Sequence, residues 1–102
     1  MPQKDMPWIR DDRLQLPDHR PIPVGSPAWF RWLEQATHFC YQPPGAIDRL
    51  TLRKERRKQH AYWYAYLKYD RKLHNAYAGK TEALTVQRLR QVFDLVLAQV
   101  HR

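Results

Sequence analysis

The chain has little of several things on which small proteins and enzymes often rely. It contains one cysteine, three glycines and no apolar run near the length of a membrane span. A single cysteine excludes an intrachain disulfide and a cysteine-based zinc framework, and three scattered glycines form no glycine-rich phosphate loop. A bilayer-spanning helix needs about 20 apolar residues, and the amino terminus lacks the apolar stretch of a secretion signal. We therefore expect a cytoplasmic protein that has no membrane segment.

Residue types that carry catalysis or bind metals are present but scattered. The five histidines lack the short spacing of a metal site; they are His19, His38, His60, His74 and His101. Carboxylates are few and separated, and no Ser-His-Asp arrangement stands out from the order of the residues. Cys40 lies in an apolar neighbourhood, where a lone thiol usually acts as a small hydrophobe. The sequence predicts no enzyme activity, no metal and no cofactor.

Positive charge is abundant, and its location is informative. The 102 residues suffice for one domain, and a hydrophobic content of 43% is enough to build a core. The net charge is +8, and this whole excess lies in residues 49–80, where ten basic side chains accompany two acidic ones. The rest of the chain is balanced. Such a local positive field attracts polyanions such as nucleic acid.

The ends of the chain predict an extended arm and two helices. Residues 1–25 hold five prolines and are expected to form an extended Pro-rich arm, ahead of a single small domain in residues 26–102. Ser26 followed by Pro27 is a helix start signal, which predicts a helix over residues 27–38. Thr85 can cap a C-terminal helix in which Leu89, Phe93 and neighbouring apolar residues form a core-facing stripe.

Between the helices the apolar period changes to two, which is typical of strands. One strand is predicted from Ile47 onward, and a second covers residues 60–69. In the second, Ala61, Trp63, Ala65 and Leu67 alternate with Tyr62, Tyr64, Tyr66 and Lys68. A polar turn at 69–72 leads into a third strand over 73–78. The sequence thus predicts an α+β fold, a three-stranded antiparallel sheet backed by the C-terminal helix.

The sheet face opposite the predicted helix is the candidate binding surface. The candidate nucleic-acid-binding residues are Arg53, Lys54, Arg56, Arg57, Lys58, Tyr62, Tyr64, Tyr66, Lys68, Lys72 and His74. Arginine and lysine pair with phosphates, and tyrosine can stack on bases. An ordinary interpretation is that tyrosines suit strands and charges solubilise an exposed face. The coincidence of both on one face favours binding.

Short sequences in the second half of the chain resemble known DNA-binding proteins. These sequences are LTLRKERR at 50–57, YWYAY at 62–66, RKL at 71–73, YAGK at 77–80 and LTVQRL at 84–89. They resemble the amino-terminal arm-type DNA-binding domain of tyrosine recombinases and a segment near the amino termini of large LuxR-family ATPase regulators. The first resemblance implies a three-stranded sheet that is laid on DNA, and the second implies a regulatory context. Such segments often have Leu where this chain has Ala78.

These observations predict a nucleic-acid-binding module, with double-stranded DNA as the expected partner, in transcription regulation or a mobile element. RNA and single strands stay open because tyrosine stacking favours unpaired bases. The alternative is a protein-interaction adaptor or inhibitor that uses the basic face against an acidic partner. A homodimer is compatible with both functions.

Overall fold

The computed structural model describes residues 6–101, which form one mixed sheet and two helices. In chain order the elements are β1 (Trp8–Arg10), β2 (Arg13–Gln15), β3 (Ile22–Pro23), α1 (Pro27–Gln35), β4 (His38–Gln42), β5 (Leu50–Arg57), β6 (His60–Tyr69), β7 (Lys72–Gly79), a 3-10 turn (Thr81–Ala83) and α2 (Val86–Val100). The strand order is β3-β2-β1-β4-β5-β6-β7. Only the β1 and β4 neighbours within this described sheet are parallel.

The Pro-rich N-terminal segment supplies three short strands of this sheet. Ile9, Leu14 and Val24 are buried in the common core. A two-residue turn at Asp11 and Asp12, both with positive φ, joins β1 to β2. The α+β class is confirmed, but the predicted number of three strands is wrong, since the sheet formed by residues 6–101 has seven. Strands of two or three residues are too short to show an alternating pattern, which is why the sequence did not reveal them.

The first helix ends earlier than predicted because the chain turns into the sheet. Ser26 caps α1 as expected, its hydroxyl accepting a hydrogen bond of 3.3 Å from the Trp29 amide. The helix stops at Gln35 rather than His38, and residues 38–42 form β4, between β1 and β5. Phe39 and Tyr41 on this strand are fully buried. Residues 38–42 therefore form the central strand of the sheet.

The second half of the chain follows the prediction closely. The three predicted strands correspond to β5, β6 and β7, although β5 begins at Leu50 and leaves Ile47 exposed. The Thr85 hydroxyl accepts a 3.1 Å hydrogen bond from the Arg88 amide and caps α2. Trp63 and Ala65 are fully buried. A sheet backed by a C-terminal helix is confirmed.

Both helices pack on the same face of the sheet. Three aromatic rings connect α1 to the central strands, with centroids 5.4 Å apart for Trp29 and Phe39 and 5.1 Å apart for Phe39 and Trp63. Phe93 of α2 contacts Tyr41 edge to face at 6.3 Å. The Trp29 indole N–H donates to the Leu84 carbonyl at 2.8 Å, so this buried polar group is satisfied. We call the opposite side, which neither of the described helices covers, the open face.

Candidate nucleic-acid interface

Strand register determines which side chains the open face presents. Because side chains alternate between faces, every residue next to a buried strand residue points to the other side. Arg53 pairs across β5 and β6 with Tyr64, and Tyr64 pairs across β6 and β7 with Tyr77. Thr51, Tyr66 and Asn75 form the adjacent row. The central strands therefore place cations and tyrosines side by side on one continuous surface.

Four tyrosines of β6 and β7 lie on the open face near one edge of the sheet, and three of their rings contact one another. Tyr64 and Tyr77 meet at 5.4 Å, and Tyr62 and Tyr77 at 6.1 Å between ring centroids. Tyr62, Tyr64 and Tyr66 are half-buried by their neighbours, and Tyr77 is 46% exposed. Cross-strand aromatic pairs of this kind stabilise a sheet by themselves. All four tyrosines nevertheless stay partly exposed on this face.

Arginines from β5 lie across the tyrosines of β6. The Arg53 guanidinium carbon is 5.9 Å from the ring centre of Tyr66, and that of Arg57 is 5.8 Å from the ring centre of Tyr64. Within residues 6–101, Glu55 is the one carboxylate that belongs to a strand. Its carboxylate lies 3.8 Å from the Arg57 guanidinium and accepts a hydrogen bond from the Tyr66 hydroxyl. Arg53, Arg57 and Lys68 outnumber this single strand carboxylate, so the field of this part of the face is positive.

A second basic and aromatic cluster lies on β1, at the other side of the open face. Trp8 is flanked by the guanidinium groups of Arg10 and Arg49, at 4.3 and 4.8 Å from its ring centre. Such cation–π contacts hold the arginine heads in place. Arg13, opposite Arg10 in the register, adds a further exposed cation. The sequence did not predict this cluster, because the short strands of the Pro-rich segment show no alternating pattern that would place Trp8 in the sheet.

Lys72 and His74 do not lie where the sequence placed them. Both were expected on the same face as the tyrosines, but Lys72 pairs with Tyr69 and His74 with Leu67, on the side of the helices. The open face of β7 instead carries Leu73, Asn75 and Tyr77. Polarity was misleading on this edge strand, since the apolar Leu73 is 63% exposed. The two-residue turn at Asp70 and Arg71 was the signal that fixes the correct register.

The remaining basic residues of β5 divide between two sides. Lys54 points toward α1, where its ammonium donates to the carbonyls of Leu33 at 2.7 Å and Glu34 at 3.0 Å. These carbonyls lie at the end of the helix, where a cation is favourable. Arg56 shares this side, whereas Arg57 is on the open face and Lys58 is in the turn. Lys68 is exposed near the far end of β6 on the open face.

Three pKa shifts describe the electrostatics of these strands. The hydrogen bond to Glu55 raises the pKa of Tyr66. Burial, together with the neighbouring Arg56, lowers the pKa of Lys54. Burial raises the pKa of the Cys40 thiol, which keeps it in the protonated and unreactive form. The described residues 6–101 contain no group of three or more side chains suited to a metal ion.

No helix among residues 6–101 is both long and apolar enough to cross a membrane. Comparison of the chain with models of known protein families, with curated proteins and with solved structures finds no match in any of the three. The geometry and the charges of the open face are therefore the basis for a functional proposal.

Proposed function

We propose that the protein binds nucleic acid through the open face, with double-stranded DNA as its partner. The observation that supports this proposal is the alternation of arginines and tyrosines on a sheet face that neither described helix covers. Guanidinium groups pair with phosphates, and tyrosine rings stack on bases or donate a hydroxyl to the backbone. The regulatory or mobile-element context belongs to the same proposal and follows from the resemblance of the second half of the chain.

The cations on this face suit a phosphate backbone in number and spread. Arg10, Arg49, Arg53 and Arg57 are all exposed. Strands lie about 4.8 Å apart, so the arginines on β1 and β5, separated by two spacings, are roughly 10 Å apart across the sheet. Each phosphate that they neutralise releases counterions, and affinity should therefore fall steeply with salt.

The test compares two variants of equal net charge. The first replaces Arg49, Arg53 and Arg57 on the open face with alanine. The control replaces Arg20, Arg31 and Lys72, which are exposed but lie in a loop, on α1 and on the helix side of β7. Each protein is titrated with a mixed-sequence DNA duplex at several salt concentrations, and with the single strand and duplex RNA as competitors.

The open-face variant should bind DNA more weakly, and the slope of log affinity against log salt should become shallower by about 0.9 for each phosphate that the variant no longer neutralises. The control should stay close to the unmodified protein. An equal decrease of affinity in both variants would mean that only total charge attracts the ligand. If the unmodified protein binds no nucleic acid even at low salt, the proposal is wrong and the adaptor function, with an acidic protein partner, takes its place.

A further inference from the structure

The hairpin of β5 and β6 extends beyond the rest of the sheet. The last residue of β4 that pairs with β5 is His38, opposite Arg53, and the last residue of β7 that pairs with β6 is Gly79, opposite Trp63. Glu55, Arg56 and Arg57 pair only with Tyr62, Ala61 and His60. We call residues 55–62 the ribbon. With three pairs and a turn, it projects by roughly 10 to 13 Å, at about 3.4 Å per residue.

The end of the ribbon, residues 56–60, is exposed and positively charged. Arg56, Arg57, Lys58, Gln59 and His60 are all exposed, and three of these five side chains are permanent cations. A hairpin also protrudes at the opposite end of the sheet, where β6 meets β7, but there Tyr69 packs against His101 beyond α2 at 6.4 Å between rings. Of these two protruding hairpins, the ribbon is the one whose end does not pack against α2 or the residues that follow it.

The dimensions of the sheet decide which part of it fits a DNA groove. The major groove of B-form DNA is about 12 Å wide and admits a two-stranded β-ribbon. Seven strands have six spacings and a width of about 29 Å. The full sheet is therefore too wide to enter, because β1 and β4 continue the surface beside β5. The two-stranded ribbon has the right width, and its length exceeds the groove depth of about 8.5 Å.

The side chains on the ribbon suit contact with base edges. Arginine donates two hydrogen bonds to the O6 and N7 atoms of guanine, and glutamine pairs with adenine at N6 and N7. Arg56 and Gln59 supply these groups near the tip, while the Arg57 guanidinium lies over the Tyr64 ring at the base of the ribbon. At the base, Lys54 is held by the end of α1, and the Trp63 indole N–H donates to the Thr81 hydroxyl at 3.1 Å. Both strands of the ribbon therefore start from fixed positions.

We infer that the ribbon inserts into the major groove of B-form DNA, while the open face contacts backbone near that groove. This inference rests on the proposed function, because it takes the ligand to be nucleic acid. It also selects among nucleic acids. The major groove of A-form RNA is deep and narrow and does not admit such an element, and a single strand has no groove. B-form duplex DNA is thus the preferred ligand.

The experiment uses the unmodified full chain and four probes of one sequence. These are a DNA duplex, the same duplex with bulky substituents on the pyrimidine C5 atoms that fill the major groove, duplex RNA, and single-stranded DNA. We expect the filled duplex and duplex RNA to bind about tenfold or more weakly than plain duplex, which is the size of one base-edge contact. Equal binding of plain and filled duplex would overturn the inference and leave the proposed function intact. Absence of binding to all four probes would overturn both.

Two variants with equal charge separate the shape of the ribbon from its cations. One variant lacks residues 56, 57, 60 and 61, so that each strand of the ribbon is two residues shorter. Because an even number is removed from each strand, the remaining side chains stay on their original faces of the sheet. The other keeps the length and carries Arg56→Ala and Arg57→Ala. The shortened protein should bind plain and filled duplex equally, whereas the alanine variant should retain part of the preference for plain duplex. If the shortened protein keeps the full preference and its thermal midpoint shows that it is folded, the ribbon does not enter the groove.

Discussion

The two faces of the central strands are both rich in aromatic rings, but they use different kinds. On the helix side Trp29, Phe39 and Trp63 are fully buried, and both indole N–H groups donate hydrogen bonds. On the open face the rings of β6 and β7 are tyrosines, which carry a polar hydroxyl and have cations beside them. A core needs the first arrangement. The second leaves charge and ring surface exposed on one face, and this arrangement supports the proposal that the face binds nucleic acid.

Adjacent residues on β6 provide the sharpest test of this difference. Trp63→Ala should lower the free energy of unfolding by roughly 3 to 5 kcal/mol, because it empties a filled core site. Tyr64→Ala should cost about 1 kcal/mol or less, the value of a cross-strand pair. Tyr64→Ala should also weaken single-stranded DNA binding by roughly 1 to 3 kcal/mol if the ring stacks on a base. Chemical denaturation measures the stability of the two variants, and a titration with single-stranded DNA measures the affinity of the Tyr64→Ala variant. Similar losses of stability in the two variants would contradict the assignment of Trp63 and Tyr64 to opposite faces.

The alternation on β6 could be predicted because it covers ten residues with a consistent apolar side, and burial of Trp63 follows from it. The position of Lys72 could not be taken from polarity, since an edge strand leaves apolar residues such as Leu73 in water. The Trp8 cluster depends on a parallel pairing of β1 with β4. Contacts between segments so distant in the chain leave no local pattern in the sequence.

Removing a helix cap should affect stability and leave binding unchanged. Thr85→Ala removes the hydroxyl that accepts the Arg88 amide hydrogen bond, and should cost about 1 kcal/mol of unfolding free energy. The helix α2 packs on the covered face, so DNA affinity measured well below the melting temperature should stay the same. Thr85→Ser retains the hydroxyl and serves as the control. If the alanine variant alone binds DNA more weakly, the packing of α2 on the covered face influences binding at the open face, contrary to our expectation.

The turn between β6 and β7 offers a stabilising substitution. Arg71 has a φ of 66°, a backbone conformation that favours glycine, and Asp-Gly is a preferred pair in a two-residue hairpin turn. Arg71→Gly should therefore raise the free energy of unfolding by about 0.5 to 1 kcal/mol. Arg71→Ala is the control, because it removes the same charge but keeps a Cβ atom that disfavours the positive φ. Thermal unfolding distinguishes the two variants, and equal midpoints would contradict the steric explanation.

The smallest effect concerns the titration of Tyr66. Its pKa is raised because Glu55 accepts its hydrogen bond, so Glu55→Gln should return the pKa toward the ordinary value of about 10. Because the pKa of Tyr66 is higher in the folded state than in the unfolded chain, the protonated phenol stabilises the fold. This stabilisation is fully present below about pH 10 and is lost as the pH rises through the pKa of the folded state. The Glu55→Gln variant should therefore lose less stability than the unmodified protein when the pH is raised above about 10. Ultraviolet difference titration follows the phenol, and an unchanged Tyr66 titration would show that Glu55 is not its partner.

The central claim is that the open face, and not merely the net charge, contacts nucleic acid. The six tyrosines of the chain make this claim directly measurable, because Tyr62, Tyr64, Tyr66 and Tyr77 lie on the open face while Tyr41 is buried on the other side. Ring signals of isotope-labelled tyrosine are recorded by NMR during titration with a DNA duplex. We predict that the four open-face rings shift and that Tyr41 does not. Saturated binding with those four rings unmoved would contradict the account.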